Sequence, residues 1–170
     1  MDPRNFQNLV EQHYVELYRF AFSLARNADD ASDLTQQTFA IFARKGDDLR
    51  DPAKCKSWLF TTLYREFLKE ASRSKRIVSM DGEDPSPGEL AVSNIPSPSR
   101  TAEQHEALEA LASLEETHRS VLSLFYLDHC PYHEIAEILG VPIGTVMSRI
   151  SRAKEALRDR LHVVDRKNRE

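Results

Sequence analysis

Tyr132-His-Glu-Ile-Ala-Glu-Ile-Leu-Gly-Val-Pro-Ile-Gly-Thr-Val-Met-Ser-Arg-Ile-Ser-Arg-Ala-Lys-Glu-Ala-Leu157 reads as two short helices joined by a tight turn, the second carrying basic residues. Ile135, Ala136 and Leu139 give the first helix an apolar face, and small Ala136 lets its neighbour approach. Gly140 ends that helix, because the residue just past a helix favours a left-handed conformation that glycine adopts at little steric cost. Val141 plugs the corner. Pro142 opens the second helix at a first-turn position where a missing N–H does no harm. On that helix Val146, Ile150, Ala153 and Leu157 form the buried stripe. Thr145, Ser148, Arg149 and Arg152 fall roughly 100° or more away and are the candidates for base and phosphate contacts. Arginine donates two parallel bonds to a guanine edge, while hydroxyls and a helix N-terminus suit phosphate oxygens. The pattern is a helix-turn-helix and points to duplex DNA; a plain helical hairpin with solvated arginines is the competing reading.

The rest of the chain extends this all-helical reading. Its 170 residues, 41% hydrophobic and 29% charged with only 5 glycines, suit two small helical domains, and no long segment alternates as a strand would. Cys55 and Cys130 are too few and too far apart for a disulfide framework. The start, Met-Asp-Pro-Arg-Asn, does not read as a signal peptide, and no apolar run reaches membrane-spanning length, so the expected location is the cytoplasm, with no membrane insertion.

A net charge of −4 hides a segregated distribution. Residues 80–116 hold nine acids and one base, Arg100; residues 54–76 hold seven bases against Glu66 and Glu70; residues 144–170 hold eight bases against four acids. Two basic segments thus flank an acidic connector. Residues 79–100 carry four of the 8 prolines and few large apolar groups, which predicts an extended linker between domains at 1–78 and 101–170.

Three helices are expected before the linker and three or four after it. The first runs from about Pro3 to Arg26, with Phe6, Leu9, Val10, Leu17, Ala21 and Leu24 toward the core, and Asn27 breaks it. The second starts near Asp29 and Asp30, whose carboxylates suit a helix N-terminus, and continues to about Arg44. Ala31, Thr35, Thr38 and Phe42 form its core stripe; Asp30, Asp33 and Gln37 lie opposite, with Leu34 and Ile41 beside them. Leu34 and Ile41 are either anchors of a protein interface or a widening of the core. The third helix follows Asp51-Pro52 and runs to about Arg76. Trp58, Thr62, Arg65, Lys69, Ser72, Arg73 and Arg76 share one of its faces; Leu59, Leu63 and Phe67 take another. An aromatic followed by hydroxyls and cations suits single-stranded nucleic acid, where bases stack and phosphates need positive charge. Trp58 in the core beside a solvated basic face fits the same residues.

Four stretches together resemble a bacterial RNA polymerase sigma factor of the extracytoplasmic-function group within the sigma-70 family: Asp30-Ala-Ser-Asp-Leu-Thr-Gln-Gln-Thr-Phe39, Lys56-Ser-Trp-Leu59, Glu134-Ile-Ala-Glu-Ile-Leu-Gly-Val141 and Gly144-Thr-Val-Met-Ser-Arg-Ile-Ser-Arg-Ala153. They occur in the family's order. The resemblance implies that residues 1–78 are sigma region 2 and residues 101–170 sigma region 4, with no catalytic residues, cofactor or metal. It makes Asp30, Asp33, Leu34, Gln36 and Gln37 contacts to the beta-prime clamp helices of core RNA polymerase. It assigns Trp58, Thr62, Arg65, Lys69, Arg73 and Arg76 to the opened minus-10 element, and Thr145, Ser148, Arg149 and Arg152 to the minus-35 duplex. The acidic linker would thread the polymerase cleft, region 4 would meet the beta flap, and an anti-sigma factor would hold the protein inactive until a stress or envelope signal.

Departures from the family pattern are Arg65 where Asn is common, Lys69 where Asp is common, Met147 in place of a basic residue, and Cys130-Pro131 in a turn usually small and polar. A stand-alone regulator would share the helix-turn-helix without explaining the Asp30 to Phe39 face. His129-Cys-Pro-Tyr-His133 offers three candidate ligands to a metal or redox sensor. No nucleophile-base pair or phosphate loop stands at a recognised spacing, which argues against an enzyme.

Overall fold

Asn27 turns the first helical hairpin. The computed structural model describes residues 3–46, 49, 51–81 and 102–167, and in it helix α1 (Pro3–Ala25) ends where Arg26 takes a positive φ of 65°. Asn27 then extends (φ −145°, ψ 156°) and caps helix α2 (Ala28–Lys45), its Oδ1 accepting from the Asp30 N–H at 2.8 Å. Its amide donates in return to the Asp30 carboxylate at 2.6 Å. The expected capping by Asp29 and Asp30 is therefore corrected: Asn27 supplies the cap oxygen and Asp30 locks it.

Asp51 repeats the device, its Oδ1 accepting from the Ala53 N–H at 3.0 Å above a single 3₁₀ turn, Pro52–Lys54, that leads into α3 (Cys55–Asp81). The third helix therefore runs past the expected end at Arg76. The expected linker at 79–100 is corrected at 79–81, which belong to α3, and its remainder lies outside the described residues.

Helices α1, α2 and α3 close around one core. Leu17, Phe20 and Ala21, Ala31, Thr35 and Thr38, and Leu59, Phe60 and Leu63 are fully buried. Phe20 stacks on Phe60 at 5.4 Å and reaches Tyr64 at 6.5 Å, which concentrates the core in the C-terminal half of α1. Phe6, Leu9 and Val10, expected to share that stripe, are only half-buried. The two buried threonines satisfy their hydroxyls locally, Thr35 donating to the Ala31 carbonyl at 2.7 Å and Thr38 to that of Leu34 at 2.8 Å. They thus fill core volume as small, β-branched groups without an orphaned donor.

The second unit contains α4 (Ala102–Ala112), α5 (Glu116–Leu122), α6 (Tyr132–Leu139) and α7 (Ile143–Lys167). Helix α5 runs on into a π-helical turn, Ser123–Leu127, closed by the Asp128 N–H on the Ser123 carbonyl at 3.2 Å. That one-residue overshoot ends the helix. His129 then takes a positive φ of 53°, and the Cys130 N–H returns to the Leu124 carbonyl at 2.9 Å, reversing the chain toward α6.

Val121, Leu122 and Leu124, Ile135 and Ile138, and Val146, Ile150 and Ala153 fill this second core. Helix α6 packs against both α7 and the π-helical turn, so Ile138 is buried where the sequence pattern named Ala136, which is half-buried. Leu157 is likewise half-buried, because the packing on α7 thins beyond Ala153.

Candidate polymerase and promoter interfaces

A groove of about 480 Å³ opens between the end of α1, α2 and α3. From α2 it takes Asp30, Asp33, Leu34 and Gln37; from α3, Glu66, Phe67 and Glu70; Leu24 and Ala25 close its end. Leu34 is 9% exposed, so it widens the core stripe while its edge floors the groove, and Ile41 is half-buried. Gln37 donates from Nε2 to Glu66 at 2.8 Å and ties the two walls together. Of the five residues expected to meet polymerase, four converge here. Gln36 does not: it sits off the groove, its amide on Ser32 at 3.2 Å.

The wall from α3 escaped the sequence reading. Glu66 and Glu70 are one helical turn apart, with Phe67 between them, a spacing that puts two carboxylates on one line. Four carboxylates around an apolar floor suit a basic, amphipathic partner helix.

The adjoining face of α3 presents Arg65, Lys69, Ser72, Arg73 and Arg76, all exposed. A shallow depression of about 350 Å³ is lined by Lys69, Ser72, Arg73 and Arg76 together with Leu68, which is 43% exposed. Lys69 pairs with Glu66 and thereby joins the cationic face to the rim of the acidic groove. Trp58 and Thr62 lie nearer the start of the helix and are half-buried. The Trp58 ring meets Phe42 edge-on at 5.2 Å, so part of the indole belongs to the core and part remains accessible. The core reading of Trp58 is thus met in part, and a portion of the ring stays open to solvent.

In the second unit Gly140 takes φ 65°, ψ 37° as expected, and the Val141 N–H reaches back to the Ala136 carbonyl at 3.1 Å, the pattern of a glycine-terminated helix. Pro142 stands one position earlier than expected. It precedes α7, and its carbonyl accepts from the Thr145 and Val146 N–H groups at 2.9 and 3.2 Å, as a cap carbonyl does. Pro131 does the same for Glu134 and Ile135 at 3.0 Å each.

Helix α7 presents Ser148 and Arg152 exposed and Thr145 and Arg149 half-buried, with the Ser148 hydroxyl donating to the Thr145 carbonyl at 3.0 Å. Gly144, Met147 and Ser151 are exposed on the same helix, and the choice of cations and hydroxyls by residue type passes over the first two. Lys154 stays out of this face: its ammonium lies over the rings of Phe125 at 4.9 Å and Tyr126 at 5.7 Å. The three ligands suggested in 129–133 diverge. Cys130 is buried with its thiol toward the Asp128 carbonyl at 3.8 Å, whereas His129 and His133 face outward. Among the described residues no three His, Cys, Asp or Glu side chains gather in metal-binding geometry.

An acidic groove and a cationic helix in one helical unit, with a helix-turn-helix in another, define a two-part, all-helical binding protein. Comparison with known families is specific: residues 9–77 match sigma-70 region 2 and residues 104–157 match sigma-70 region 4. The chain is 30% identical over 156 residues to the RNA polymerase sigma factor SigV of Bacillus subtilis, covering 89% of this chain and 88% of that one. It is 34% identical over 166 residues to the ECF RNA polymerase sigma factor SigE of Mycolicibacterium smegmatis, spanning 62% of that longer relative. The solved sigma factor RpoE of Bartonella quintana, in complex with the anti-sigma factor NepR, superposes with a TM-score of 0.82 at 29% identity, covering 94% of this chain and 98% of that one. The chain belongs to the extracytoplasmic-function group of the sigma-70 family of RNA polymerase sigma factors.

Proposed function

We infer that this protein is a promoter-specificity subunit, which binds core RNA polymerase and directs initiation at minus-35/minus-10 promoters without chemistry of its own. The observation that carries this reading is the union, in one chain, of the groove floored by Leu34 and rimmed by Asp30, Asp33, Glu66 and Glu70 with a glycine-terminated helix-turn-helix. A free-standing repressor needs the second and has no use for the first.

In this mechanism residues 1–78 dock on the beta-prime clamp helices through the groove, with Gln36 at its margin. Residues 101–170 hold the minus-35 duplex, Arg149 and Arg152 donating to base edges or phosphates and Thr145 and Ser148 supporting them. Once the duplex opens, Arg65, Lys69, Arg73 and Arg76 neutralise phosphates of the unpaired strand while the accessible part of Trp58 stacks on a base. The acidic stretch that follows α3 would serve as the tether, and the beta flap would receive the second domain. The Bartonella relative is solved with an anti-sigma factor bound, which supports control of this chain by a similar inhibitor in a stress or envelope response. None of the described helices is long and apolar enough to cross a membrane. The proposed site of action is the cytoplasm, where polymerase works.

The test is initiation by core polymerase on a pool of genomic fragments. Added protein is expected to start transcripts at a small set of promoters sharing two spaced elements; transcript starts identical with and without the protein overturn the reading.

A further inference from the structure

We propose that Ile143 and Met147 read thymine methyl groups in the major groove of the upstream promoter duplex. This deepens the function proposed above and rests on it.

The buried stripe of α7, Val146, Ile150 and Ala153, fixes which way the helix looks. At roughly 100° per residue, the most directly outward positions are Ser148 and Gly144, with Ser151 and Arg152 beside them. Thr145 and Arg149 border this face on one side, which explains why both are half-buried. Met147 borders it on the other side, and Ile143 lies one turn before Met147 on the same line. The outward face therefore has a cationic flank and an apolar flank.

Both apolar residues are open to solvent, Ile143 at 50% and Met147 at 54%. A lone exposed hydrophobe is unremarkable. Two stacked on the first turns of a recognition helix are different, since those turns are the ones that approach base edges. In the major groove the apolar feature at that depth is the C5-methyl of thymine, and the long, unbranched Met147 can reach it. Gly144 fits the same picture. A Cβ there would meet nothing within 4 Å inside the protein, so no internal contact requires glycine, and its bare position beside Met147 leaves room for the duplex. Charge favours DNA over a protein as the occupant, because Arg149 and Arg152 share this end of α7 and no acidic residue lies between Ile143 and Lys154.

The experiment uses the full chain with core polymerase. Upstream elements are first obtained by selection from genomic fragments, and each thymine is then replaced singly by deoxyuridine, which keeps pairing and removes only the methyl. Wild-type holoenzyme should lose about fourfold in affinity at one or two positions, the worth of one buried methyl at ~0.8 kcal/mol. Met147→Ala or Ile143→Ala should bind those elements more weakly and no longer distinguish thymine from uracil at its position, whereas Met147→Leu should keep the distinction.

Uracil tolerated at every position by the wild type, or continued discrimination by both alanine variants, overturns this inference and leaves the sigma assignment standing. Failure to select any element overturns both. Loss of core-polymerase binding by Met147→Ala would assign the apolar pair to a protein partner and also overturns the proposal. Because both side chains are exposed, unchanged helical content and melting temperature verify that the variants fold.

Discussion

Replacing Gly140 by alanine isolates the conformational term that ends α6. The residue holds φ 65°, and a Cβ at this position would meet nothing within 4 Å, so the substitution adds backbone strain without a clash. An L-residue in the left-handed region costs roughly 1–2 kcal/mol, and a less flexible unfolded chain returns about half a kcal/mol of that. The net loss is therefore about 1 kcal/mol. For a unit of this size it lowers the melting temperature by roughly 4–8 °C. The chain's single tryptophan, Trp58, lies in the other unit and serves as an internal control. Thermal unfolding followed by far-ultraviolet circular dichroism should show a destabilised transition, while the Trp58 fluorescence transition stays in place. Gly140→Asn should lose less, since asparagine tolerates this conformation. Upstream-duplex affinity well below the transition should match wild type, because no outward side chain of α7 changes. Unaltered melting in Gly140→Ala would refute the strain argument, and a loss above about 3 kcal/mol would reveal a clash that the open space excludes.

Asp33→Lys combined with Glu70→Lys should weaken core-polymerase binding by roughly tenfold or more, as like charges meet across the groove, while isolated upstream-duplex binding is unchanged; competition binding to core enzyme checks it. Arg73→Ala and Arg76→Ala should each reduce by about 1 the slope of log affinity against log salt for a pre-opened minus-10 template, measured by titration at several salt concentrations. His13 is buried on α1, and that burial lowers its pKa from the ordinary 6.5, with Glu16 pulling upward and Lys56 downward. Its folded value lies below the unfolded one, so its contribution to stability is present above pH 6.5 and is lost as pH falls through the folded value. Denaturant unfolding between pH 7 and 5 should show a smaller decline for His13→Gln than for wild type, and equal declines would refute this.

The helix-turn-helix was legible because its punctuation is local. Gly140 and Pro142 act within a few residues of themselves, and the periodicity of Val146, Ile150 and Ala153 follows from one helix alone. Pro142 shows the limit of such reasoning, since cap and first-turn positions tolerate proline equally and only the carbonyl's bonds to Thr145 and Val146 separate them. The π-helical turn at Ser123–Leu127 left no local signature, since its residues carry no glycine, proline or change of period to mark it.

The acidic groove shows why half of a site escapes a one-dimensional reading. Asp30, Asp33, Leu34 and Gln37 lie within eight residues of chain and announce themselves as one helix face. Glu66 and Glu70 belong to a basic segment, where a charge count treats them as minor exceptions, and only the pairing of α2 with α3 carries them to the groove. Lys69, paired with Glu66, makes the two faces of α3 neighbours across a single salt bridge. Glu66 is thus shared by the groove and the cationic face, a neighbourhood that composition and periodicity could not reveal because it runs across the helix rather than along it.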